Sequence, residues 1–136
     1  MVAINIISGR ACNIYALEQN ERNDLLAFLL ELKRSAGKEY AKLLRALTWT
    51  AENGPMYRVP ERFKRLNENI FEFKTHGGVR VLCFFDGLSL IILTNGFKKK
   101  KEYADDICRA ENIRMAYLNA KMSDCLSIRK EPLESI

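Results

Sequence analysis

Two basic features of the sequence are of a kind that binds phosphate. The first is Arg80, a single charge inside the apolar run VRVLCFF, and the second is a block of four lysines at residues 98–101. Lys74 ends the preceding run, IFEFK, only a few residues before Arg80. A guanidinium group matches phosphate oxygens with a planar fork, and lysine ammonium groups add point charges. The pattern predicts a sheet with a cationic rim that binds a polyanion.

The charge balance and the hydropathy of the chain narrow its partners and its compartment. The 136 residues include 22 basic and 17 acidic side chains, a net charge of +5, which favours nucleic acid as a partner and an acidic protein as the next choice. No apolar run approaches the roughly 18 residues that cross a membrane. The N-terminus lacks the features of a signal peptide. We therefore expect a cytoplasmic protein with no membrane partner.

The residues that usually bind metals are too sparse to form a site. The chain has one histidine, His76, and four cysteines that are widely spaced along the sequence. Structural metal sites normally show close pairs of ligands, and this sequence has none. We expect no metal site and no cofactor, and we expect the cysteines to be reduced.

The elements that must position these basic residues follow from hydrophobic periodicity. Residues 2–7 predict a strand and residues 12–17 a second short one. Apolar residues at helical spacing predict a helix over about 21–35 and another that ends at Gly54. Only a short connection around Gly37 separates the two helices, which indicates an αα-hairpin. Tyr40 and Trp49 share helical spacing and are predicted to be core residues.

The second half of the chain predicts an antiparallel meander. Residues 62–66 form either a short edge strand or an extended arm, and IFEFK alternates, with Glu72 and Lys74 on a solvent-facing side. The Asp86-Gly87 turn predicts a hairpin, and a last helix follows over about 102–119. The predicted fold class is α+β: a small twisted antiparallel sheet of three to five strands on an N-terminal αα-hairpin, plus a C-terminal helix. We expect one domain at 1–119 and a weakly ordered tail at 120–136.

Four short motifs resemble the RelE/ParE toxin superfamily, and within it the phage-derived, HigB-like branch. They are IFEFK, GGVRVLCFF, LTNGFKKK and AENIRMAYL, in the order and spacing of that branch. The resemblance implies the toxin of a toxin–antitoxin pair, a ribosome-dependent endoribonuclease that cuts translated mRNA. Its implied partners are mRNA on the ribosome and an antitoxin, expected to be a helix-turn-helix protein. The family's basic strand residue falls at Arg80, and its glycine-phenylalanine-lysine element falls at Gly96, Phe97, Lys99 and Lys100.

The implied chemistry is attack of an RNA 2′-hydroxyl on the adjacent phosphate, which needs a base, an acid and cations but no metal. Arg80, Lys74 and Lys99 are the candidate catalytic cations. Tyr103 is a candidate for base stacking or proton transfer, and His76 is a possible acid or base. The further residues that we expect to bind RNA are Lys64, Arg65, Phe97, Lys98, Lys100 and Lys101.

Several alternatives stay open at this point. Arg80 can instead pair with Glu72 or Asp86 across the hairpin, the lysine block can be a solvated charge run, and His76 can be an exposed residue without a role. A ParE-like inhibitor of DNA gyrase is a second candidate function. A non-catalytic binding module is the third. It is favoured by Lys74, which stands where the superfamily usually has arginine, and by a short loop after Phe97.

Overall fold

The computed structural model describes all residues, 1–136, and contains seven strands and three α-helices. In chain order they are β1 (Val2–Ser8), β2 (Asn13–Glu18), α1 (Asp24–Ser35), α2 (Gly37–Asn53), β3 (Phe63–Arg65), β4 (Phe71–Lys74), β5 (Val79–Asp86), β6 (Leu90–Lys98), α3 (Ala104–Met122) and β7 (Ser127–Lys130). A 3-10 turn at Leu133–Ser135 ends the chain. No helix is both long enough and apolar enough to cross a membrane.

All seven strands belong to one mixed sheet, in the order β3-β4-β5-β6-β2-β1-β7. Neighbouring strands are antiparallel except at two places, where β2 runs parallel to β6 and β7 runs parallel to β1. The predicted fold class is therefore wrong, because the sheet is neither small nor antiparallel throughout. The two helices also do not begin the fold, since they follow the β1–β2 hairpin. That hairpin docks on the meander through the β2–β6 pairing, a long-range contact that local periodicity does not reveal.

The helices cover both faces of the sheet. The larger core packs α1 and α2 against one face, and its buried residues include Leu29, Leu47 and Phe73. A smaller core lies on the other face, where Leu82 and Phe84 pack near Tyr117 of α3. The side of β4 that was expected to face solvent is therefore covered.

The first two helices have clear boundaries. The Asn23 side chain accepts a hydrogen bond from the Leu26 backbone N–H at 3.1 Å and caps α1. Gly54, with φ of +93°, ends α2 in a conformation that favours glycine. Tyr40 is buried as predicted, but Trp49 is 48% exposed, so its assignment to the core is wrong. Both fit helical spacing, but only Tyr40 lies on the face of α2 that meets the sheet.

A polar contact fixes α3 on the sheet. The Tyr117 hydroxyl donates a hydrogen bond to Asp86 of β5 at 2.5 Å, and Lys121 Nζ donates to both oxygens of the same carboxylate at 3.0 and 2.8 Å. The segment 120–136, expected to be a weakly ordered tail, contains the end of α3, strand β7 and a buried Leu133. These contacts hold α3 so that its N-terminal end lies near Arg80.

Candidate functional site

Arg80 lies near the start of β5, with one basic and one aromatic residue beside it on the neighbouring strands. Its cross-strand partners are Lys74 on β4 and Phe97 on β6. The side chain is buried, and its Nη1 donates to the backbone carbonyls of Thr75 at 3.2 Å and Val79 at 3.1 Å. The backbone thus fixes the guanidinium at the β4–β5 turn. No ion pair joins Arg80 to a carboxylate, so the predicted alternative of pairing with Glu72 or Asp86 does not occur.

Glu72 occupies the same face of β4 as Lys74 and is 1% exposed. Its Oε1 lies 4.0 Å from Lys74 Nζ, and its Oε2 has no hydrogen-bond partner. Lys64 of β3 stands directly across the strand pair from it. Burial raises the pKa of Glu72 above its ordinary value, and the charges of Lys74, Arg80 and Lys64 offset only part of that rise. We refer to Lys64, Lys74 and Arg80 as the cationic cluster.

Two aromatic residues lie beside Arg80 on the face of the sheet that carries α3. The rings of Phe97 and Tyr103 have centroids 5.3 Å apart, and Tyr103 directly precedes α3. Burial, followed by the negative charge of Glu72, raises the pKa of Tyr103. Lys100 Nζ lies 5.2 Å from the centroid of the Phe97 ring and 2.8 Å from Asp106 Oδ2. We refer to the Phe97–Tyr103 pair as the aromatic lid. Lys100 of the lysine block contacts the Phe97 ring.

The lysine block does not act as one unit. The backbone N–H of Lys99 donates to the carbonyl of Gly78, which places the start of the loop against the β4–β5 turn. Lys98 lies on the opposite face, near Glu31 of α1. The pKa of Glu31 is lowered chiefly by the hydrogen bond from Arg34, and the charge of Lys98 adds to this. Lys101 is exposed and makes no ion pair. The block is divided between the two faces of the sheet.

The remaining predicted site residues also lie on different faces of the sheet. His76 is exposed in the β4–β5 turn, at the Arg80 end of the sheet. Arg65 donates to the backbone carbonyls of Asn67 and Glu68 and lies over the ring of Phe71, on the other face. The structure thus brings together Lys64, Lys74, Arg80, Phe97, Lys99, Lys100 and Tyr103, with His76 nearby, and it keeps Arg65 and Lys98 apart from them.

Glu72 is the residue at this site that sequence reasoning missed. Alternation along IFEFK places it on the polar side of β4, where a glutamate is ordinarily solvated. Only the position of α3 and of the aromatic lid shows that this side is buried. The one signal in the sequence was its spacing, since Glu72 is two residues from Lys74 and therefore shares a face with it.

The cluster has the composition of a site for phosphate chemistry. Three cations lie around one carboxylate, so positive charge is in excess, and the burial of Arg80 and Glu72 strengthens their interactions relative to water. An aromatic pair beside them offers a surface on which a nucleobase can stack. The arrangement can therefore bind an RNA backbone, stabilise extra negative charge on a phosphate and accept a proton.

Comparison with known proteins identifies the family. The family model of the phage derived protein Gp49-like group (DUF891) matches residues 27–116, which include every residue of the cationic cluster and of the aromatic lid. No curated protein matches the chain with significant similarity. The Gp49-like family is associated with toxin–antitoxin systems. The chain therefore belongs to the Gp49-like phage-derived family, which is part of the RelE/HigB-type toxin family.

Proposed function

We propose that this protein is the toxin of a toxin–antitoxin pair and that it cuts mRNA on the ribosome. The observation that supports the proposal most directly is the position of Arg80. A buried arginine that the backbone holds, with Lys74 on the adjoining strand and no carboxylate bonded to it, is suited to an incoming phosphate. Lys64 lies one strand further on. Membership of a toxin family supports the assignment as a toxin.

In the proposed reaction, the 2′-oxygen of a ribose attacks the neighbouring phosphorus in line, and the bond from phosphorus to the 5′-oxygen breaks. Arg80 and Lys74 stabilise the negative charge that builds up on the phosphorane oxygens. Lys64 and Lys99 bind flanking phosphates, and Phe97 and Tyr103 provide the stacking surface for a base turned out of the strand. The ribosome presents mRNA as a single strand held in one path, which favours the in-line geometry.

Access to the site requires a small movement. Arg80 is 8% exposed, and Phe97 of the aromatic lid is its partner on the neighbouring strand. We expect residues 99–103, which connect β6 to α3, to shift when RNA binds. The ion pair between Lys100 and Asp106 lies about half exposed on the lysine side and is weak enough to break during such a shift.

An antitoxin is the expected protein partner, as in other toxin–antitoxin families. We propose that it neutralises the toxin by placing an acidic surface over the cationic cluster or by holding α3, and that it is a helix-turn-helix protein. Co-expression with the small protein of an adjacent reading frame, followed by co-purification in low and high salt, tests this point. A complex that blocks growth arrest and weakens as salt rises is the expected result.

The test of the toxin function compares two double variants that remove the same charge. In R80A/K99A one substitution removes Arg80 of the cationic cluster and the other removes Lys99 beside the β4–β5 turn. In R10A/R22A both lie at exposed positions, with side chains 87% and 77% exposed. We expect wild type and R10A/R22A to arrest growth and to generate new mRNA ends within translated codons. R80A/K99A is expected to do neither, while keeping a cooperative thermal transition.

Other outcomes would point to other functions. Intact mRNA together with DNA damage and altered supercoiling would indicate a ParE-like gyrase inhibitor. Intact mRNA and DNA, with nucleic-acid binding that falls steeply as salt rises, would indicate a non-catalytic binding module. A fully toxic R80A/K99A variant would show that the cationic cluster is not the site.

A further inference from the structure

The Glu72 carboxylate is buried among cations, yet it is paired less closely than a buried charge usually is. It is 1% exposed, its nearest cation is 4.0 Å away, and Oε2 accepts no hydrogen bond of ordinary length. The Tyr103 hydroxyl nevertheless approaches the carboxylate closely enough for hydrogen bonding to affect the pKa of both groups. Burying a carboxylate costs several kcal/mol unless it is paired and hydrogen-bonded. A glutamine of the same size would avoid that cost. A buried glutamate with one unbonded oxygen, among cations, therefore points to a role in chemistry.

The groups that face Glu72 come from each element packed around it. Lys64 faces it from β3, Lys74 from β4 itself, Arg80 from β5, and the hydroxyl of Tyr103 from the residue before α3. The neighbouring residue on β6, Phe97, has no titratable group. Of these neighbours only Tyr103 joins a partly exposed position to a group that can both donate and accept a proton. Tyr103 is thus the connection between the buried carboxylate and the surface.

We propose that Glu72 is the final acceptor of the proton from the attacking 2′-hydroxyl and that Tyr103 relays it. This inference rests on the proposed function. As the 2′-oxygen bonds to phosphorus, its proton passes to the Tyr103 oxygen while the phenolic proton passes to Glu72 Oε2. The leaving 5′-oxygen takes a proton from Lys99 or Lys100. Glu72 and that lysine then exchange protons with solvent, so the enzyme returns to its starting state.

The relay agrees with the burial and the charges at both residues. Tyr103 contacts the substrate and is the catalytic residue, while Glu72 acts through it and is a positioning residue. Burial and the nearby carboxylate raise the pKa of Tyr103, so the phenol keeps its proton and donates it towards Glu72. Burial also raises the pKa of Glu72, which makes the carboxylate a better base than an exposed glutamate at neutral pH.

The test is a single-turnover measurement of mRNA cleavage on programmed ribosomes, at saturating toxin and over a range of pH. Wild type, Glu72→Gln and Tyr103→Phe are compared, together with the double variant. We expect the wild-type rate to rise as Glu72 ionises and then to level off. Each single variant should be slower by on the order of 100-fold or more, and Glu72→Gln should lose the rise with pH. The double variant should be no slower than either single variant, because each single substitution already abolishes the relay that both residues form.

Two further readouts separate a chemical role from a structural one. Ribosome binding should be unchanged in both variants, and Glu72→Gln should be at least as resistant to heat as wild type at pH 7. A Glu72→Gln variant that cleaves within 3-fold of wild type, or keeps the rise with pH, would overturn the relay. Lost activity with a lower melting temperature would also overturn it. If wild type itself cleaves nothing, the proposed function fails, and the relay fails with it.

Discussion

Replacing Tyr117 by Phe tests whether its hydroxyl holds α3 on the sheet. The hydroxyl donates to Asp86 at 2.5 Å, and the ring packs on Phe84 with centroids 5.3 Å apart. The substitution keeps the ring and removes only the donor. A hydrogen bond to a charged group contributes about 1.5–3 kcal/mol. We expect a loss of about 1.5–2 kcal/mol, at the lower end, because Asp86 keeps both hydrogen bonds from Lys121.

The expected shift in melting temperature follows from the length of the chain. An unfolding entropy of about 2.1 cal/mol/K per residue gives roughly 0.29 kcal/mol/K for 136 residues. A loss of about 1.5–2 kcal/mol then lowers the melting temperature by about 5–7 °C, which calorimetry resolves easily. Tyr57→Phe is the matched control, because Tyr57 is 57% exposed and its hydroxyl makes no hydrogen bond. It should change stability by less than about 0.5 kcal/mol.

The Tyr117 effect should also depend on pH. Burial raises the pKa of Asp86, but the hydrogen bonds from Lys121 and Tyr117 outweigh burial and hold it below its ordinary value near 3.8. The carboxylate therefore stabilises the fold fully above that value, and this contribution is lost as pH falls through the lower folded-state pKa. The gap between wild type and Tyr117→Phe should narrow over the same range. A gap no larger than that of Tyr57→Phe, or one that does not change with pH, would refute the reasoning.

Four other substitutions have predicted effects on stability that thermal or chemical denaturation can check. Burial raises the pKa of Glu72, so its contribution to stability is complete below about pH 4.5 and is lost as pH rises through the folded-state pKa. The stability of Glu72→Gln relative to wild type should therefore increase as pH increases. Gly9→Ala should cost more than about 2 kcal/mol, since its Cβ would overlap the carbonyl group of Ala51. Gly37→Ala, at an open position in the first turn of α2, should instead stabilise by about 0.4–1 kcal/mol. Leu133→Ala should cost at least about 2 kcal/mol, since Leu133 is 2% exposed, and an unchanged midpoint would show that the C-terminal segment does not pack as described.

Local patterns predicted most of the elements but not their assembly. The Asp86-Gly87 turn is the β5–β6 connection, with Gly87 at φ of +73°, because that pair of residues accommodates a positive φ. The parallel pairings of β2 with β6 and of β7 with β1 join residues far apart in sequence, and no local periodicity encodes them. β7 is also short and fully exposed, so it has no apolar pattern to recognise.

The candidate site was predictable to a similar extent. Arg80 could be singled out because a charge inside an apolar strand is costly without a partner, and the structure indeed buries it against backbone carbonyls. The lysine block could not be resolved from sequence, because strand alternation sends Lys98 to the α1 face while the residues after it leave the strand. Glu72 was missed because the side chains around it, which include Arg80 and Tyr103, come from other parts of the chain that local alternation along β4 does not reveal.

The central claim is that the protein cuts mRNA by attack of a 2′-hydroxyl within the ribosome. The most direct test is cleavage by purified toxin of a ribosome-bound mRNA that carries a single 2′-deoxy substitution at the cleaved nucleotide. We predict efficient cleavage of the all-ribose message, with a 2′,3′-cyclic phosphate and a 5′-hydroxyl at the new ends, and no cleavage at the deoxy position. Unchanged cleavage of the deoxy-substituted message would contradict the account.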